Sequence, residues 1–374
     1  MTDYFENALK KLDIEITQPE GLVFTDRSPE DYHEYIAIEH ARRYKATAVY
    51  FRRFSDGRPP VPQIYIYDYT SDEKNDEEIA CLHRKLWNAG QVPLFFIFTR
   101  TEIKIFNCLK KPFDKGQFKS SPFETIKLDS DIEEELNKKK EFSSRNFDNG
   151  SFWESSIYKD HFKIEDSAYE TLLRQLNNTK AQIIKLKVLP EAIAKRLLVM
   201  AILIKYLEER KDEAGNTVFP KDFFSKFSPG AENFSDILKE RGACVRLFDE
   251  LSSHFNGEIF KLKETEKENL INTDLELFAS FLEGSEGGQG TFWPLYSFND
   301  LPIELISNIY ENFLGKNPGV VYTPPYLVNF LIDETMPLDK PNTDFKVLDP
   351  ACGSGIFLVA AYRRLIYWWR IQNG

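Results

Sequence analysis

Near the carboxyl terminus stands the run Lys346-Val347-Leu348-Asp349-Pro350-Ala351-Cys352-Gly353-Ser354-Gly355-Ile356-Phe357. Lys346 to Leu348 reads as a short β-strand, a polar start followed by the β-branched and aliphatic residues of a buried parallel strand. Asp349-Pro350 ends it, because proline offers no N–H to a ladder and turns the residue before it away from helix. Gly353 and Gly355 allow a tight turn and a close backbone approach to a small ligand. From Ile356 to Arg370 an apolar-rich helix resumes. Strand, glycine turn and helix make the opening unit of a doubly wound α/β sheet, whose ligand sits beyond the strand's carboxyl end.

The ligand's charge can be narrowed from the residues alone. The dinucleotide fingerprint needs G-x-G-x-x-G and the triphosphate loop needs Lys-Ser/Thr after its glycines; neither is present. An acid at the strand's end repels a pyrophosphate and suits a cation that donates hydrogen bonds, such as an α-ammonium group. The string D-P-A-C-G-S-G-x-F closely resembles the S-adenosylmethionine loop of amino-methylating DNA methyltransferases, above all the N6-adenine kind.

Upstream, Gly319-Val320-Val321-Tyr322-Thr323-Pro324-Pro325-Tyr326-Leu327-Val328 reads as a helix start. Thr323 is placed as N-cap, proline falls in the first turn, and Leu327, Phe330 and Leu331 follow at helical spacing. In the family that this sequence resembles, a Tyr-Thr-Pro segment ahead of the glycine loop folds against the cofactor's methionine end. The resemblance implies a cofactor-binding set of Tyr322, Thr323, Pro324, Asp349, Pro350, Ala351, Cys352, Gly353, Gly355 and Phe357. Asp349 would lie near the methionyl ammonium, the backbone of Ala351 to Gly355 against the methionine, and Phe357 along the pocket wall.

A chain of 374 residues has room for two or three domains, and 42% hydrophobic with 14% aromatic residues describes a globular protein with cores. The net charge of −11 argues against a small basic DNA-binding module. It leaves room for a local basic groove, since phosphate contacts depend on the local field. Cys81, Cys108, Cys244 and Cys352 lie far apart without a C-x-x-C pair, so neither zinc nor a disulfide framework is expected. No signal pattern opens the chain and no apolar run approaches spanning length, which predicts a cytoplasmic protein without membrane contact.

In the first third, helix is expected over Glu30 to Tyr44 and Glu77 to Asn88. Strands are expected over Thr47 to Phe51, Pro62 to Tyr69, Leu94 to Thr99 and Glu102 to Phe106. This order resembles the nuclease-like domain of single-chain restriction–modification enzymes. That chemistry needs an acid on one strand and Glu-x-Lys on the next, to hold a metal and steady a hydroxide. Here the relevant strand reads Tyr67-Asp68-Tyr69, so the cutting site is expected to be degenerate, with Asp56, Asp68, Glu102 and Lys104 its nuclease candidates. Arg42, Arg43, Arg52, Arg53 and Arg58 form either a solvated face or a phosphate-contacting patch. The single histidines His33, His40, His83, His161 and His254 read as surface or satisfied helix residues.

Residues 129–148 read as a charged linker or exposed helix followed by a loop. Helices dominate from Ser167: a strong one opening at Leu189-Pro190-Glu191, then Phe234 to Phe255, Glu264 to Glu283 and Leu301 to Leu314, with a glycine-rich gap from Gly284 to Gly290. The expected fold is α/β with a large all-α middle. It has a nuclease-like domain over 1–130, a helical connector over 131–300, and over 301–374 the first strand–helix unit of a Rossmann-like S-adenosylmethionine-dependent methyltransferase.

The resemblance implies a site-specific adenine-N6 methyltransferase acting on double-stranded DNA within a type IIG-like restriction–modification system. Such enzymes flip the base into a pocket and hold it with Asn/Asp-Pro-Pro-Tyr/Phe. No such tetrapeptide occurs here, and Thr323-Pro324-Pro325-Tyr326 lacks the amide or acid. No catalytic residue is therefore assigned, and the chain is expected to be the amino-terminal portion of its parent enzyme, inactive alone. Leu365, Ile366, Trp368 and Trp369 would then face solvent or another chain. The alternatives are a DNA- or partner-binding half-protein completed by a second chain, or a restriction endonuclease subunit.

Overall fold

The computed structural model describes residues 3–15, 21–27, 32–56, 58–114, 117–186, 189–212, 214–255, 258–283, 295–301, 323–342, 344–353 and 355–373. The glycine-rich gap, all but the first residue of the expected Leu301 to Leu314 helix, and Tyr322 lie outside the described residues. Two compact units emerge, Met1–Glu170 with Asn329–Leu348 and Val359–Gly374, and Thr171–Val328 with Asp349–Leu358.

The first unit is built on a mixed sheet. Its elements run α1 (Asp3–Lys10), β1 (Leu22–Phe24), α2 (Tyr32–Arg43), β2 (Ala48–Arg52), β3 (Val61–Asp68), α3 (Asp76–Ala89), β4 (Leu94–Phe98) and β5 (Glu102–Asn107). After these come the small ribbon β6 (Phe113–Asp114) and β7 (Gln117–Phe118), then β8 (Glu124–Lys127), α4 (Glu133–Glu141), α5 (Ser144–Asn149) and α6 (Ser151–Glu154). The main sheet has six strands in the order β1-β2-β3-β4-β5-β8. Only β3 and β4 pair in parallel, and α3 supplies the crossover that a parallel pair requires. That helix is well specified locally: Asn75 and Glu78 form a reciprocal capping box, and Gly90 ends it in the left-handed region at φ 60°.

Alternation along the strands sends side chains to two cores. Ile64, Ile66, Phe96, Phe98, Ile103 and Ile105 join one face with Phe5 and Leu9 of α1. Tyr65, Tyr67, Phe95, Ile97 and Phe106 join the other with Ile38 and Ala41 of α2 and Ile79 and Leu86 of α3. The four longer strands and both flanking helices agree with the sequence expectation; β1 and β8, short and with little alternation, were not anticipated.

Residues 129–148 depart from the linker reading. Phe142 and Phe147 are buried against the first face, joined by Phe152 and Tyr158 just beyond the segment. Phe152 stacks on Tyr158 at 4.9 Å, and Lys139 donates to the carbonyls of Leu128 and Ser130. Most charges of α4 face solvent, Lys139 is buried on those carbonyls, and the aromatic residues that follow the helix carry the packing.

The second unit is helical among its described residues: α7 (Ala168–Leu186), α8 (Glu191–Glu209), α9 (Phe234–Lys239), α10 (Ala243–His254), α11 (Glu264–Asn272) and α12 (Glu276–Glu283). Helix α8 is buried on most sides through Leu197, Leu198, Met200, Ala201 and Ile204, as its sequence requires. Two expected long helices are each divided. Gly242 at φ 74° separates α9 from α10, and Asp274 accepts the Glu276 N–H between α11 and α12, a side-chain bond that competes with continued helix. The fold is thus α/β with a mixed six-stranded sheet and a helical part.

Candidate functional site

The glycine turn is organised by its own backbone. The Asp349 carboxylate accepts the Ala351 N–H at 3.1 Å, a side-chain turn of the kind that aspartate favours. The Gly355 N–H then donates to the Cys352 carbonyl at 2.7 Å, closing a β-turn. Gly353 and Gly355 have φ of 52° and 81°, where a side chain is strained. A Cβ on Gly355 would meet nothing within 4 Å, so the turn presents open space. Asp349 is half-buried, whereas Pro350, Ala351, Cys352 and Gly353 are exposed and Phe357 is half-buried.

Helix α13 (Pro325–Thr335) and helix α14 (Ile356–Asn373) start at the two motif segments. Leu327 and Val328 donate to the Pro324 carbonyl at 3.0 and 3.2 Å, so α13 begins one residue later than the Thr323 cap expected from sequence. Its buried stripe is Val328, Ile332 and Met336, while Leu327, Phe330 and Leu331, the expected apolar face, are exposed.

Helix α14 is bonded to the end of α13. Arg364 of α14 reaches the Asp333 carboxylate and the Met336 carbonyl. One turn later Trp368 donates to the Pro337 carbonyl at 2.9 Å. Arg364 and Trp368 thus hold the last turn of α13 and the two residues that follow it. Arg364 and Asp333 each lie two turns beyond the first residue of their helix, roughly 12 Å along the axis. The Thr323-Pro324 segment and the Asp349 to Gly355 turn, each directly ahead of its helix, both belong to the second compact unit.

The connection between the two helices is anchored where the Phe345 ring meets Trp368 edge-on at 5.7 Å. The expected strand Lys346 to Leu348 is not one among the described residues, because no ladder partner lies beside it: Leu348 is 87% exposed. The predicted open patch is likewise smaller than expected. Trp369 is 60% exposed, but Trp368 is buried and Leu365 and Ile366 are half-buried.

Another face of α14 rests on α2. Tyr367 meets Tyr35 edge-on at 6.0 Å and His40 Nε2 at 3.5 Å, and Arg370 pairs with Glu39 at 3.3 Å. Burial holds His40 below the ordinary histidine range. Arg363, Arg364 and Asp333 were not expected from sequence; the available signal was a pair of arginines in the middle of an apolar-rich helix.

The nuclease candidates do not converge. Asp68 pairs in register with Phe98 of β4, which pairs with Ile103 of β5, placing it on the sheet face of those residues. Glu102 and Lys104 flank Ile103 and therefore point to the opposite face, 3.4 Å from each other. Asp68 is engaged by the N–H and hydroxyl of Thr70, and Asp56 by Arg58 at 2.9 Å. No group of three or more metal-ligating side chains occurs among the described residues. The arginines read as a patch are engaged within the protein. Arg42 donates to the Thr25 and Arg27 carbonyls, Arg52 to those of Asp148 and Asn149, and Arg53 pairs with the buried Glu34.

The glycine turn thus stands between an aspartate and the start of a helix. Residues 302–367, which include both motif segments, match the sequence model of the family described as N-6 DNA Methylase. This stretch is therefore similar to the N6-adenine DNA methyltransferases of restriction–modification enzymes. The chain is 47% identical over 49 residues to the Type II methyltransferase M.BstVI of Geobacillus stearothermophilus, covering 13% of this chain and 9% of that protein. It is 33% identical over 108 residues to the Type II restriction enzyme and methyltransferase RM.BcgI of Heyndrickxia coagulans, covering 27% and 15%. The matches thus span a small share of these relatives. A cryo-EM structure of a DrdV–DNA complex aligns over 97% of this chain and 35% of that one at 14% identity, with a TM-score of 0.29, too low to carry an argument. No described helix is long and apolar enough to cross a membrane.

Proposed function

We propose that this chain is the cofactor-binding portion of a type IIG-like adenine-N6 DNA methyltransferase, with S-adenosylmethionine as cofactor and double-stranded DNA as substrate. What supports the reading is that Thr323-Pro324 and the Asp349 to Gly355 turn stand directly ahead of α13 and α14 within one compact unit. The residues fit the cofactor's amino-acid end. A carboxylate has about four acceptor sites, so the single Ala351 bond leaves Asp349 able to take an ammonium group. The first turn of α14 offers unpaired N–H groups and the positive end of its dipole to a carboxylate. Gly355 leaves the space between them open.

Bound S-adenosylmethionine supplies an electrophilic methyl on sulfur. What this chain contributes is binding and orientation through Thr323, Pro324, Asp349 and the Ala351 to Gly355 backbone, with Phe357 beside them. The hydrogen-bond acceptors that would hold a flipped adenine are not in this sequence, so the chain binds cofactor without methylating DNA alone. The amino-terminal sheet is read as a nuclease-like domain without a competent cutting site.

Titration calorimetry with S-adenosylmethionine on the purified chain tests this. Binding that weakens at least tenfold in Asp349→Ala is expected. A wild-type chain that ignores the cofactor, or an Asp349→Ala chain that binds it equally well, overturns the reading, and labelled methyl entering DNA overturns the second part.

A second reading, a half-protein completed by another chain, is favoured by the exposure of Leu348, Tyr362 and Trp369. Native mass spectrometry of the protein isolated from its own cells separates the two: a stoichiometric companion polypeptide supports the second reading and a lone chain opposes it.

A further inference from the structure

We infer that Arg364 is a positioning residue of the cofactor site, locking α13 to α14 two turns behind the segments that meet the ligand. This rests on the cofactor reading above and adds to it the residue that keeps the two halves of the site in register.

Arg364 is 5% exposed, although it carries a full charge on an apolar helix. Withdrawing a guanidinium from water is unfavourable unless its N–H groups are paired. Here one terminal nitrogen donates to the Met336 carbonyl and the other to the Asp333 carboxylate. Met336 lies immediately past the end of α13, where helix carbonyls lack N–H partners and the dipole concentrates negative charge. A cation from the neighbouring helix thus caps α13.

The planar fork does more than neutralise. Two donors at fixed spacing define both the separation of the helices and the rotation of one against the other. A leucine or methionine could fill the same volume but would fix neither. Trp368 repeats the constraint one turn on, through Pro337. A slip of one residue would turn α14 by about 100° and shift it about 1.5 Å, carrying the glycine turn away from Thr323-Pro324. The Asp333 carboxylate is largely exposed, so the Met336 carbonyl and the buried guanidinium carry most of the directional constraint.

Hydrogen exchange read by mass spectrometry, on the wild-type chain, Arg364→Lys and Arg364→Met, tests the assignment together with calorimetry. In Arg364→Met, amides of 325–336 and 351–358 are expected to exchange at least tenfold faster, with those of 94–107 in the sheet unchanged. Cofactor affinity is expected to fall at least tenfold in Arg364→Met, with partial recovery in Arg364→Lys. Unchanged exchange in Arg364→Met, equal acceleration across the sheet, or loosened helices with unaltered affinity would each overturn the proposal. If the wild-type chain binds no cofactor while the exchange pattern is as expected, the cofactor reading has failed and the helix lock has not; the positioning role then falls with that reading.

Discussion

His83 shows how a residue that reads as ordinary in sequence becomes a pH-dependent element of the core. Its Nε2 lies 2.9 Å from the Asn107 carbonyl and its Nδ1 2.6 Å from the Ser120 hydroxyl, so the neutral ring donates at Nε2 and accepts at Nδ1. Burial pushes its pKa down to about 4. Between that value and the ordinary one near 6.5 the unfolded chain binds the proton and the folded chain does not. The contribution is therefore fully present above pH 6.5 and is lost as pH falls toward 4. Denaturant unfolding of the wild type should lose about 2 kcal/mol more between pH 7 and pH 5 than that of His83→Gln. An equal loss in both proteins would show that His83 titrates normally. At the glycine turn the residue-level expectation is steric. Gly355 has room for a side chain but not the backbone for one, so Gly355→Ala should destabilise by about 1–2 kcal/mol in the same assay.

Among the elements, what could be read from sequence was what local chemistry determines. Pro190 announces the start of α8, and the apolar runs β3 and β4; the Asn75–Glu78 capping box that opens α3 is equally local but was not read. The glycine turn and helix α14 were legible for the same reason, including the two glycines that need positive φ. What could not be read depends on distant partners. Lys346 to Leu348 has a strand's composition, but a ladder exists only where a second strand supplies it. Leu327, Phe330 and Leu331 have helical spacing, yet so do Val328, Ile332 and Met336, and the neighbouring helix selects between them. The charged segment after β8 misled because its solvent face dominates its composition. Phe152→Ala, in α6 just after the supposed linker, should destabilise by about 3–5 kcal/mol, as loss of a core aromatic does. Ile132→Ala, at an exposed site nearby, should change stability by less than about 0.5 kcal/mol. Equal effects from both would mean that α4 to α6 do not belong to the sheet's core.

At the scale of the whole molecule, strand register decides between activities that motifs leave open. An acid on β3 and an acid-x-base strand at β5 look like parts of a metal-dependent nuclease until the register sends them to opposite faces of the sheet. The purified chain with magnesium should leave supercoiled plasmid uncut, and Asp68→Ala should be indistinguishable from wild type. Nicking that disappears in Asp68→Ala would require a site that this sheet does not assemble. The arginines of the first unit lead the same way. They are engaged with carbonyls and carboxylates of their own fold, so a chain with a net charge of −11 gains no obvious phosphate-binding stripe from them.

Trp368 and Trp369 give the chain two indoles in successive positions with opposite surroundings. One is shielded and bonded to Pro337; the other stands in water. The signal of Trp369 is separable by difference: subtracting the emission of Trp369→Phe from that of the wild type, which has five tryptophans, isolates a red-shifted, acrylamide-sensitive indole. Any macromolecule that settles on the open side of α14 would report itself by a shift in Trp369 alone, so the helix carries its own optical sensor for the surface still without an assigned companion.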